Sequence, residues 1–502
     1  MAPTDRLSDR HIVDVRRLVA PSTLLNELPL TPDQQEVVLT GRLDAASILR
    51  GEDDRLLVIV GPCSVHDPAS ALDYARRLRG LIQEVRNELA VIMRVYFEKP
   101  RSALGWKGLI NDPGLDGSNK VNDGLFTARC LLLEILSLGV PVACEFLEPI
   151  TPQYIADTVS WGAIGARTAH SPIHRQLASG LSMPVGFKNS TEGDVQGAVD
   201  AVLVASRSQV FPGITYKGVG AIFTTAGNPD CHVVLRGSTS GPNHGTAQVS
   251  DALERLAGAG LVPRLVIDAS HGNSGKDHRR QPIVASEIAA RFADGERGIA
   301  GVMLESFLVE GRQELVLGHA DELRYGQSIT DSCMGWQTTV DVVRHLARAT
   351  VERRSDVPRL RARRLASRSP NRGDRRAAVS RREIRQAAAS PREVPADSTI
   401  DDLRQKLDAI DGSIVRLLAQ RRSTVTEIAS AKGRRRALII RDLERERHVL
   451  AQVEIAADRL GVSRDLVRSI FTAILEDSVA FQTELMTSDS LNRQARSVSP
   501  WA

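Results

Sequence analysis

The chain has 502 residues, of which 42% are hydrophobic, so it can bury a core in two or three domains. A formal net charge of only +4 argues against a dedicated nucleic-acid binder, and no apolar run is long enough to cross a membrane. Five scattered cysteines without a CxxC pair argue against a zinc ribbon or a disulfide framework, and we expect a cytoplasmic protein with reduced thiols.

The composition divides the chain into five segments. Residues 1–50 are predicted to form an N-terminal arm for subunit contact or regulation, and residues 51–349 alternate short apolar runs with amphipathic stretches. Residues 350–397 are rich in Arg, Ala, Ser and Pro, which predicts a flexible linker because such a segment buries too little surface to offset its ordering entropy. Docking of these arginines onto an acidic partner or nucleic acid is the alternative. Residues 398–487 have helical periodicity and are predicted to form a second domain, followed by a disordered tail at 488–502.

The segment 51–349 contains eight apolar runs, most of them separated by enough chain for a helix and two loops. The runs are 56–64, 90–99, 141–149, 161–168, 183–189, 232–237, 264–271 and 301–307. Eight βα units close a parallel barrel, and runs that are apolar on both faces are typical of its buried strands. We therefore predict an α/β protein, with a (β/α)8 TIM barrel followed by an all-α domain.

Each predicted strand ends in a residue that can carry chemistry, and in such a barrel these ends meet at one mouth. In strand order the residues are Cys63, Arg94 with Lys99, Glu145, Arg167, Lys188, Arg236, His271 and Glu305. The cations, with Arg101, would repel one another unless an anionic ligand relieved them. Arginine forks match phosphate, so we predict that the mouth binds more than one phosphate-like group. Structural charge pairing is the alternative interpretation for a minority of these residues.

The remaining strand ends suggest a metal site. The candidate ligands are Cys63, His271, Glu305 and Asp331. A thiolate, an imidazole and two carboxylates suit a divalent transition metal, with Mn, Fe, Co and Zn all compatible. Taken singly, Cys63 could be a core residue, Glu305 an arginine partner and Asp331 a turn residue. The first three fall at the same end of strands that are neighbours in a closed barrel, which favours the metal hypothesis.

Long motifs in residues 1–345 closely resemble the type I alpha class of 3-deoxy-D-arabino-heptulosonate 7-phosphate (DAHP) synthases. The resemblance rests on GPCSVHDP (61–68), MRVYFEKPRS (93–102), CEFLEPITPQY (144–154), DASHGNSGK (268–276) and SITDSCMGW (328–336), among others in the same order. It implies condensation of phosphoenolpyruvate with erythrose 4-phosphate at the entry to the shikimate pathway. The alternative is a 3-deoxy-octulosonate 8-phosphate synthase, against which the KPRS…GWKG string argues.

The resemblance also implies roles by position. The implied metal ligands are Cys63, His271, Glu305 and Asp331. The implied phosphoenolpyruvate contacts are Arg94, Lys99, Arg167, Lys188, Arg236 and the backbone of Gly165 and Ala166. The implied site for the phosphate of erythrose 4-phosphate is Arg101 with Ser102. Lys99 is the candidate proton donor to the developing alkoxide, and Glu145 is the candidate to orient the attacking water.

The chain departs from the family's pattern in two mouth loops. Ala169 and His170 replace the usual residues after GART, and Ser238–Gly241 is one residue longer than the usual sequence. Both departures are expected to affect loop packing and kinetics more than the reaction. The resemblance further implies inhibition by an aromatic amino acid near Ser182, with the effector left open.

The tail is predicted to form three helices, at 398–432, 440–458 and 463–486. Its polar residues fall on shared helical faces: Arg421 with Lys432, Asp442 with Arg445 and Glu446, and Ser478 with Gln482. Arg404 lies off the face of Arg421 and suits a partner chain's site better. The long first helix favours a homodimer or homotetramer.

The order LRQKLDAID…LLAQRR…IRDLERER…LEDSVAFQ resembles the all-helical chorismate mutases. By position, Arg404 and Arg421 with Ser478 would bind the carboxylates of chorismate. Lys432 and Gln482 would bind its ether oxygen, and Glu446, with Asp442 and Arg445 nearby, its ring hydroxyl. The alternatives are a plain dimerisation arm, a non-catalytic sensor of chorismate or prephenate, or activity on isochorismate or 4-amino-4-deoxychorismate.

Overall fold

The computed structural model describes residues 9–100 and 105–366, with the backbone alone for 356–366. In the C-terminal part it describes residues 418, 421, 422, 425, 426, 446, 449, 450, 453, 454, 457, 462–464, 466–475, 477–479 and 481. The chain divides into two compact units, Met1–Pro370 and Asn371–Ala502. None of the described helices combines the length and the apolar character that crossing a membrane requires.

The first unit alternates strands and helices. Its helices are α1 (Pro21–Glu27), α2 (Pro32–Arg50), α3 (Pro68–Val85), α4 (Val121–Ser137), α5 (Pro152–Ile155), α6 (Pro172–Gly180), α7 (Gln196–Ala205), α8 (Thr246–Gly258), α9 (His271–Ser274), α10 (Gln281–Ala293) and α11 (Trp336–Ala366). Its strands are β1 (Leu56–Gly61), β2 (Leu89–Arg94), β3 (Val142–Glu145), β4 (Trp161–Ile164), β5 (Val185–Lys188), β6 (Val210–Ile214), β7 (Gly220–Thr224), β8 (Cys231–Leu235), β9 (Leu265–Asp268), β10 (Ile299–Glu305), β11 (Val309–Arg312) and β12 (Gln327–Ser328).

Eight of these strands form a closed parallel barrel in the order β1-β10-β9-β8-β5-β4-β3-β2. They are the eight predicted runs, so the predicted barrel is confirmed. Each barrel strand is buried along its whole length, as in β1 and β10, because helices cover the outside and side chains fill the inside. The neighbouring positions of β1, β10 and β9 bring the first, eighth and seventh predicted strand ends together.

Helix α2 belongs to the predicted N-terminal arm and packs against the barrel interior. Ala45, Ile48 and Leu49 of this helix share one buried cluster with interior residues such as Ile59 and Trp161. The helix begins with a capping box at Thr31 and ends at Gly51 in a left-handed conformation (φ 82°). The second half of the predicted arm therefore lies in the core of the barrel domain.

Two small sheets were not among the predicted elements. The antiparallel hairpin β6–β7 lies in sequence between β5 and β8, and the pair β11–β12 follows β10. Pro212 and Gly213 interrupt the apolar pattern of β6, and such residues argue against a strand in sequence. Phe211 and Phe223 stack across the hairpin with ring centroids 5.9 Å apart, which fixes its pairing.

Helix α11 extends past residue 350, where we predicted the linker to begin. Thr350 is fully buried, and Arg354 donates hydrogen bonds to both carboxylate oxygens of Asp54. Arg353 stacks on Phe292, with its Cζ 4.1 Å from the ring centroid. Long arginine side chains thus anchor a segment that lacks large apolar residues. Residues 367–397 of the predicted linker lie outside the described residues.

Arg129 ties α4 to the chain segments around it and gives a stability prediction. Its guanidinium is 1% exposed and donates to both carboxylate oxygens of Asp157 at 2.7 and 2.8 Å, and to the carbonyls of Leu28 and Tyr154. Arg129→Met should lower the free energy of unfolding of the barrel by about 3 kcal/mol, because it removes one partner of a buried ion pair. Urea unfolding followed by tryptophan fluorescence measures this.

The control for Arg129 is Arg76→Met, which removes an exposed ion pair with Asp73. That change should cost less than about 1 kcal/mol. Equal effects of the two substitutions would contradict the structural role given to Arg129.

In the second unit, the described residues are helical at 466–475 and 477–479 and at the positions described within 418–426 and 446–457. This agrees with the predicted all-α domain. The exact limits of the three predicted helices, and the predicted tail at 488–502, lie outside the described residues.

Candidate active sites

Three of the four predicted metal ligands lie together at the C-terminal end of the barrel strands. One donor atom from each of Cys63, Glu305 and Asp331 lies within 4.8 Å of those of the other two. The Sγ of Cys63 lies 3.6 Å from Oδ2 of Asp331. Cys63 and Glu305 are almost fully buried, because one follows β1 and the other ends β10. The ends of the neighbouring strands β1 and β10 thus bring Cys63 and Glu305 together, and Asp331 joins them from the loop after β12.

His271 lies beside this cluster, on the far side of Glu305. Its Nε2 is 3.7 Å from Oε1 of Glu305. Its Nδ1 is 3.0 Å from Oδ2 of Asp268 and 2.7 Å from the hydroxyl of Ser270. A proton on Nδ1 held by Asp268 leaves the Nε2 lone pair free toward Glu305, the usual orientation of a metal-binding imidazole. His271 also has a positive φ of 51°, a backbone strain that functional sites often store.

Asp268 is a site residue that our sequence analysis did not single out. It ends β9 with 0% exposure, and its Oδ2 contacts both the imidazole of His271 and the ammonium of Lys188, the latter at 3.1 Å. Burial opposes its ionisation, but the charges of Lys188 and His271 outweigh burial and hold the pKa of Asp268 well below its usual range. A lone carboxylate at the end of the apolar run LVID is the signal that could have revealed it.

Lys99 places a positive charge between two of the candidate ligands. Its Nζ lies 2.7 Å from Sγ of Cys63 and 3.0 Å from Oδ2 of Asp331. That charge is the main reason why the pKa of Asp331 lies below its usual range. Burial, and then the charge of Glu305, raise the pKa of the Cys63 thiol to about 12. The sulfur and oxygen donors fit a site for a divalent cation, and the ammonium of Lys99 already lies among them.

A small cavity adjoins these groups. It is lined by Ser270, His271, Ser274, Lys276, Gln281, Glu305, Asp331 and Ser332. Three of the four candidate ligands thus face one space, and Cys63 contacts Asp331 at its edge. The donor set, taken with the orientation of His271, fits a divalent transition metal.

Arg94 lies at the base of the mouth and is 1% exposed. It donates to Oε1 of Glu305 at 3.1 Å and to the carbonyls of Pro62 and Cys63, and it stacks over the ring of Tyr96 at 4.0 Å. Burial works against its charge, but the surrounding groups, Tyr96 and Glu305 first, raise the pKa of Arg94 above its usual value. A guanidinium held in this way is preorganised and permanently charged.

Lys188 at the end of β5 and Arg236 after β8 add two further cations to the mouth. We call the set of Arg94, Arg167, Lys188 and Arg236 the cationic wall. Arg236 is 7% exposed, and its backbone N–H donates to Oδ1 of Asn189 at 2.8 Å. Burial lowers the pKa of Arg236, with a smaller contribution from the positive charge of Arg167. Arg167 and Arg236 are therefore neighbours in a partly desolvated mouth, as the prediction of an anion site requires.

Glu145 lies at the mouth end of β3, against the turn after β4. It ends β3 and is 8% exposed, and a Cβ on Gly165 would lie only 2.6 Å from its Oε1. The carboxylate of Glu145 thus lies against the backbone of the turn after β4. Thr168 and Ala169 donate their N–H groups to the carbonyl of Gly165, which closes the turn.

Glu98 is a second residue that the sequence analysis passed over. Its carboxylate accepts hydrogen bonds from the backbone N–H groups of Leu147 and Glu148, each at 3.2 Å, and from the hydroxyl of Thr151. Burial raises its pKa to about 8. Glu98 joins the segment that carries Lys99 to the loop after β3. Arg101 and Ser102, the predicted erythrose 4-phosphate contacts, lie outside the described residues.

The two departures from the family's pattern form ordered turns. His170 is half exposed, with Nε2 3.6 Å from Oδ2 of Asp194. In the longer loop, Ser238 donates its N–H to the carbonyl of Gly241 at 2.8 Å, and Thr239 donates to the carbonyl of Thr191 at 2.9 Å. The extra residue is accommodated in a closed turn that is pinned to the loop after β5.

The second unit contains a separate cavity of about 500 Å³. It is lined by Leu418, Arg421, Arg422, Val425, Ala473, Ile474, Asp477, Ser478 and Phe481. Arg421 donates to the hydroxyl of the buried Ser478, so two predicted chorismate contacts meet in one apolar cavity. Glu446 is described as helical. The other predicted contacts lie outside the described residues: Arg404, Lys432, Asp442, Arg445 and Gln482.

Comparison with known proteins assigns a family to each part of the chain. Residues 27–344 match the model of the DAHP synthetase I family, and residues 403–483 match that of chorismate mutase type II. A phospho-2-dehydro-3-deoxyheptonate aldolase of Corynebacterium glutamicum is 51% identical over 353 residues, which cover 69% of this chain and 96% of that protein. The Phe-sensitive aldolase of Escherichia coli is 50% identical over 346 residues, which cover 69% of this chain and 98% of that protein.

A solved structure supports the same assignment. The phospho-2-dehydro-3-deoxyheptonate aldolase of Francisella tularensis superposes with a TM-score of 0.67 at 46% identity, covering 68% of this chain and 99% of that chain. The chain thus belongs to the DAHP synthetase I family, and it carries a chorismate mutase type II domain in the sequence that follows its barrel.

Proposed function

We propose that the barrel condenses phosphoenolpyruvate with erythrose 4-phosphate to DAHP and phosphate, and that the helical domain rearranges chorismate to prephenate. The observation that supports the barrel reaction most directly is the meeting of a cationic wall with a cluster of thiolate, carboxylate and imidazole donors at one mouth. The proposed reaction joins an anionic enol ester to an aldehyde that carries a phosphate, and it therefore needs these two features side by side.

Each residue group has a distinct task. Arg94, Lys188, Arg167 and Arg236, with the backbone of Gly165 and Ala166, bind phosphoenolpyruvate and stabilise charge as its phosphate leaves. Glu145 orients the water that attacks C2, and Lys99 donates a proton to the alkoxide that forms on the former aldehyde. Arg101 and Ser102 bind the phosphate of erythrose 4-phosphate.

Cys63, His271, Glu305 and Asp331 would hold the divalent metal, with Mn, Fe, Co and Zn as the candidates. Such an ion supplies Lewis acidity to the aldehyde carbonyl. The support from this structure is the spacing of the Cys63, Glu305 and Asp331 donors and the orientation that Asp268 imposes on His271.

The substrate pair is tested by phosphate release. The protein with phosphoenolpyruvate and erythrose 4-phosphate should release phosphate and form the seven-carbon product. Arabinose 5-phosphate in place of erythrose 4-phosphate should give little turnover, and a preference for it would favour an octulosonate synthase instead.

The helical domain is proposed as an active mutase because a guanidinium and a hydroxyl meet inside an apolar cavity. Such a cavity suits a compact dianion that is held in one conformer, which is how a pericyclic reaction is accelerated. Arg404, Lys432, Asp442, Arg445, Glu446 and Gln482 complete the site in this proposal. A sensor would bind chorismate without forming prephenate, and the related lyase or aminochorismate activities would give other products.

Arg421→Ala should lower the rate of prephenate formation by about 100-fold, because it removes a preorganised donor from the cavity. The measurement is chorismate consumption with product identification on the full-length protein. Arg468→Ala, which removes an ion pair with Glu454 outside the cavity, should leave the rate unchanged. Normal turnover in Arg421→Ala would show that the cavity is not the active site.

We further propose a homodimer or homotetramer in the cytoplasm. The hairpin β6–β7 exposes apolar side chains, including Ile222 at 79% exposure, and such patches are typical of subunit contacts. The cysteines are free thiols, which fits a reducing compartment. The proposed ligands are small molecules, and neither nucleic acid nor membrane is a proposed partner.

A further inference from the structure

Three arginines without a role in the proposed reactions belong to the opposite end of the barrel. Arg264 directly precedes β9 and Arg297 lies just before β10, so both are at the base, where the strands begin. Arg353 lies on α11, and it stacks on Phe292 near the end of α10, with 4.1 Å between its Cζ and the ring centroid. We call these three residues the base arginine cluster.

The base arginine cluster has hydrogen-bond donors without acceptors. Nε of Arg264 and Nη1 of Arg353 are buried, and neither has a hydrogen-bond partner. Among the side chains that the structure describes, no carboxylate forms an ion pair with any member of the cluster. The nearby carboxylate of Asp54 is held by Arg354, at 2.9 Å from Nε and 2.5 Å from Nη2. The guanidinium groups are therefore placed to bind a ligand that supplies several acceptors.

Positive charge is concentrated in this corner. Burial lowers the pKa of Arg353, and the charges of Arg264 and Arg297 lower it further, whereas Asp54 opposes the change only weakly. Burial also lowers the pKa of Arg264. Arginine does not lose its proton in proteins, so repulsion between these groups is relieved by an anion rather than by deprotonation.

The guanidinium of Arg264 occupies the space that a side chain at Gly51 would fill. A Cβ on Gly51 would be 2.2 Å from Nη1 of Arg264, and Gly51 has φ +82° at the end of α2. The guanidinium thus lies directly against the turn that leads into β1. The N–H of Leu265 donates to the carbonyl of Gly298 at 2.8 Å, so Arg264 and Arg297 lie at the starts of neighbouring strands. Arg264 and Arg353 are half-buried, and Arg297 is exposed.

We propose that the base arginine cluster binds a phosphate dianion. The cluster supplies two half-buried guanidinium groups and one exposed one, and their forked donors match the oxygens of phosphate bidentately. Three positive charges that form no ion pair with any described carboxylate favour a dianion over a monoanion. The ligand is inorganic phosphate or the phosphate group of a monoester. Its binding joins α11 to the start of β9, at the end of the barrel opposite the mouth.

Hydrogen exchange followed by mass spectrometry on the full-length protein tests this proposal, because it separates phosphate at the base from phosphate in the barrel mouth. The probe is inorganic phosphate, with sodium chloride at equal ionic strength as the reference. At a phosphate concentration ten times its dissociation constant, hydrogen exchange through local opening should slow about tenfold in peptides covering 262–266 and 349–355. Glucose 6-phosphate in place of phosphate should protect the same peptides if the base arginine cluster accepts monoesters. It should protect neither peptide if the cluster accepts only the free ion.

Arg353→Gln and Arg297→Gln should each abolish protection of the base peptides while phosphate still protects the mouth peptide around Arg236. Arg344→Gln is the matched control, since Arg344 lies on the same helix but is paired with Glu84 at 2.7 and 2.9 Å. It should leave both responses unchanged. Protection of the mouth peptide alone in the unsubstituted protein, or base protection that survives Arg297→Gln and Arg353→Gln, would overturn the proposal.

Discussion

Replacing Cys63 with alanine is expected to lower the rate of DAHP formation by about 1000-fold, with chorismate turnover unchanged in the same protein. The Cys63 Sγ is one of three donor atoms that lie within 4.8 Å of one another, and its thiolate is the only sulfur donor among them. Loss of a metal's charge stabilisation is worth several kcal/mol, which corresponds to a rate loss of that size. The measurement is the rate of phosphate release at saturating concentrations of both substrates, with divalent metal added.

Cys231→Ala is the matched control for this substitution. Cys231 is also a buried free thiol, but it begins β8 at the base of the barrel. Its replacement should leave both activities and the metal content of the purified protein unchanged. Full condensation activity in Cys63→Ala would remove Cys63 from the ligand set, and loss of both activities would indicate misfolding.

Asp268→Asn should lower the condensation rate by about 10- to 100-fold, the range typical for partners that orient a metal ligand. The substitution removes the acceptor that holds Nδ1 of His271 at 3.0 Å and the charge that pairs with Lys188 at 3.1 Å. His271 then loses its preferred tautomer, and Lys188 loses the carboxylate that balances its charge. Steady-state rates as a function of metal concentration measure the effect.

The metal dependence separates Asp268 from a direct ligand. Excess metal should restore part of the activity of Asp268→Asn, because the four proposed ligands remain, but none of the activity of Cys63→Ala. Asp277→Asn is the control. The carboxylate of Asp277 forms an ion pair with the exposed Arg279 rather than with any of the proposed metal ligands. A wild-type rate in Asp268→Asn would show that the orientation of His271 does not depend on this carboxylate.

The barrel and most of its mouth could be predicted from sequence because parallel strands impose a simple rule. Buried strands are apolar throughout, so the first polar residue after each apolar run marks the mouth, as Cys63 and Arg236 do. Asp268 was passed over because His271, three residues later in the same run, was taken as the polar residue of that strand end. Glu98 escaped the rule because its role is a contact between two loops, which no local pattern records.

The course of α11 could not be predicted from composition. The segment after residue 350 lacks large apolar residues, yet Arg353 and Arg354 continue the helix by contacts with Phe292 and Asp54. Those partners lie far away in sequence, so their effect is invisible until the fold is known. The meeting of Arg421 and Ser478 in the second domain was predictable, because helical spacing and the resemblance both indicated those positions.

The most direct test of a metal-dependent condensation is phosphate release by the purified full-length protein from phosphoenolpyruvate and erythrose 4-phosphate, before and after chelation. The metal-loaded protein should release phosphate, the chelated protein should not, and one of Mn, Fe, Co or Zn should restore the rate, while chorismate turnover stays constant throughout. Phosphate release that is indifferent to metal removal, or none from the metal-loaded protein, would contradict the assignment of the mouth.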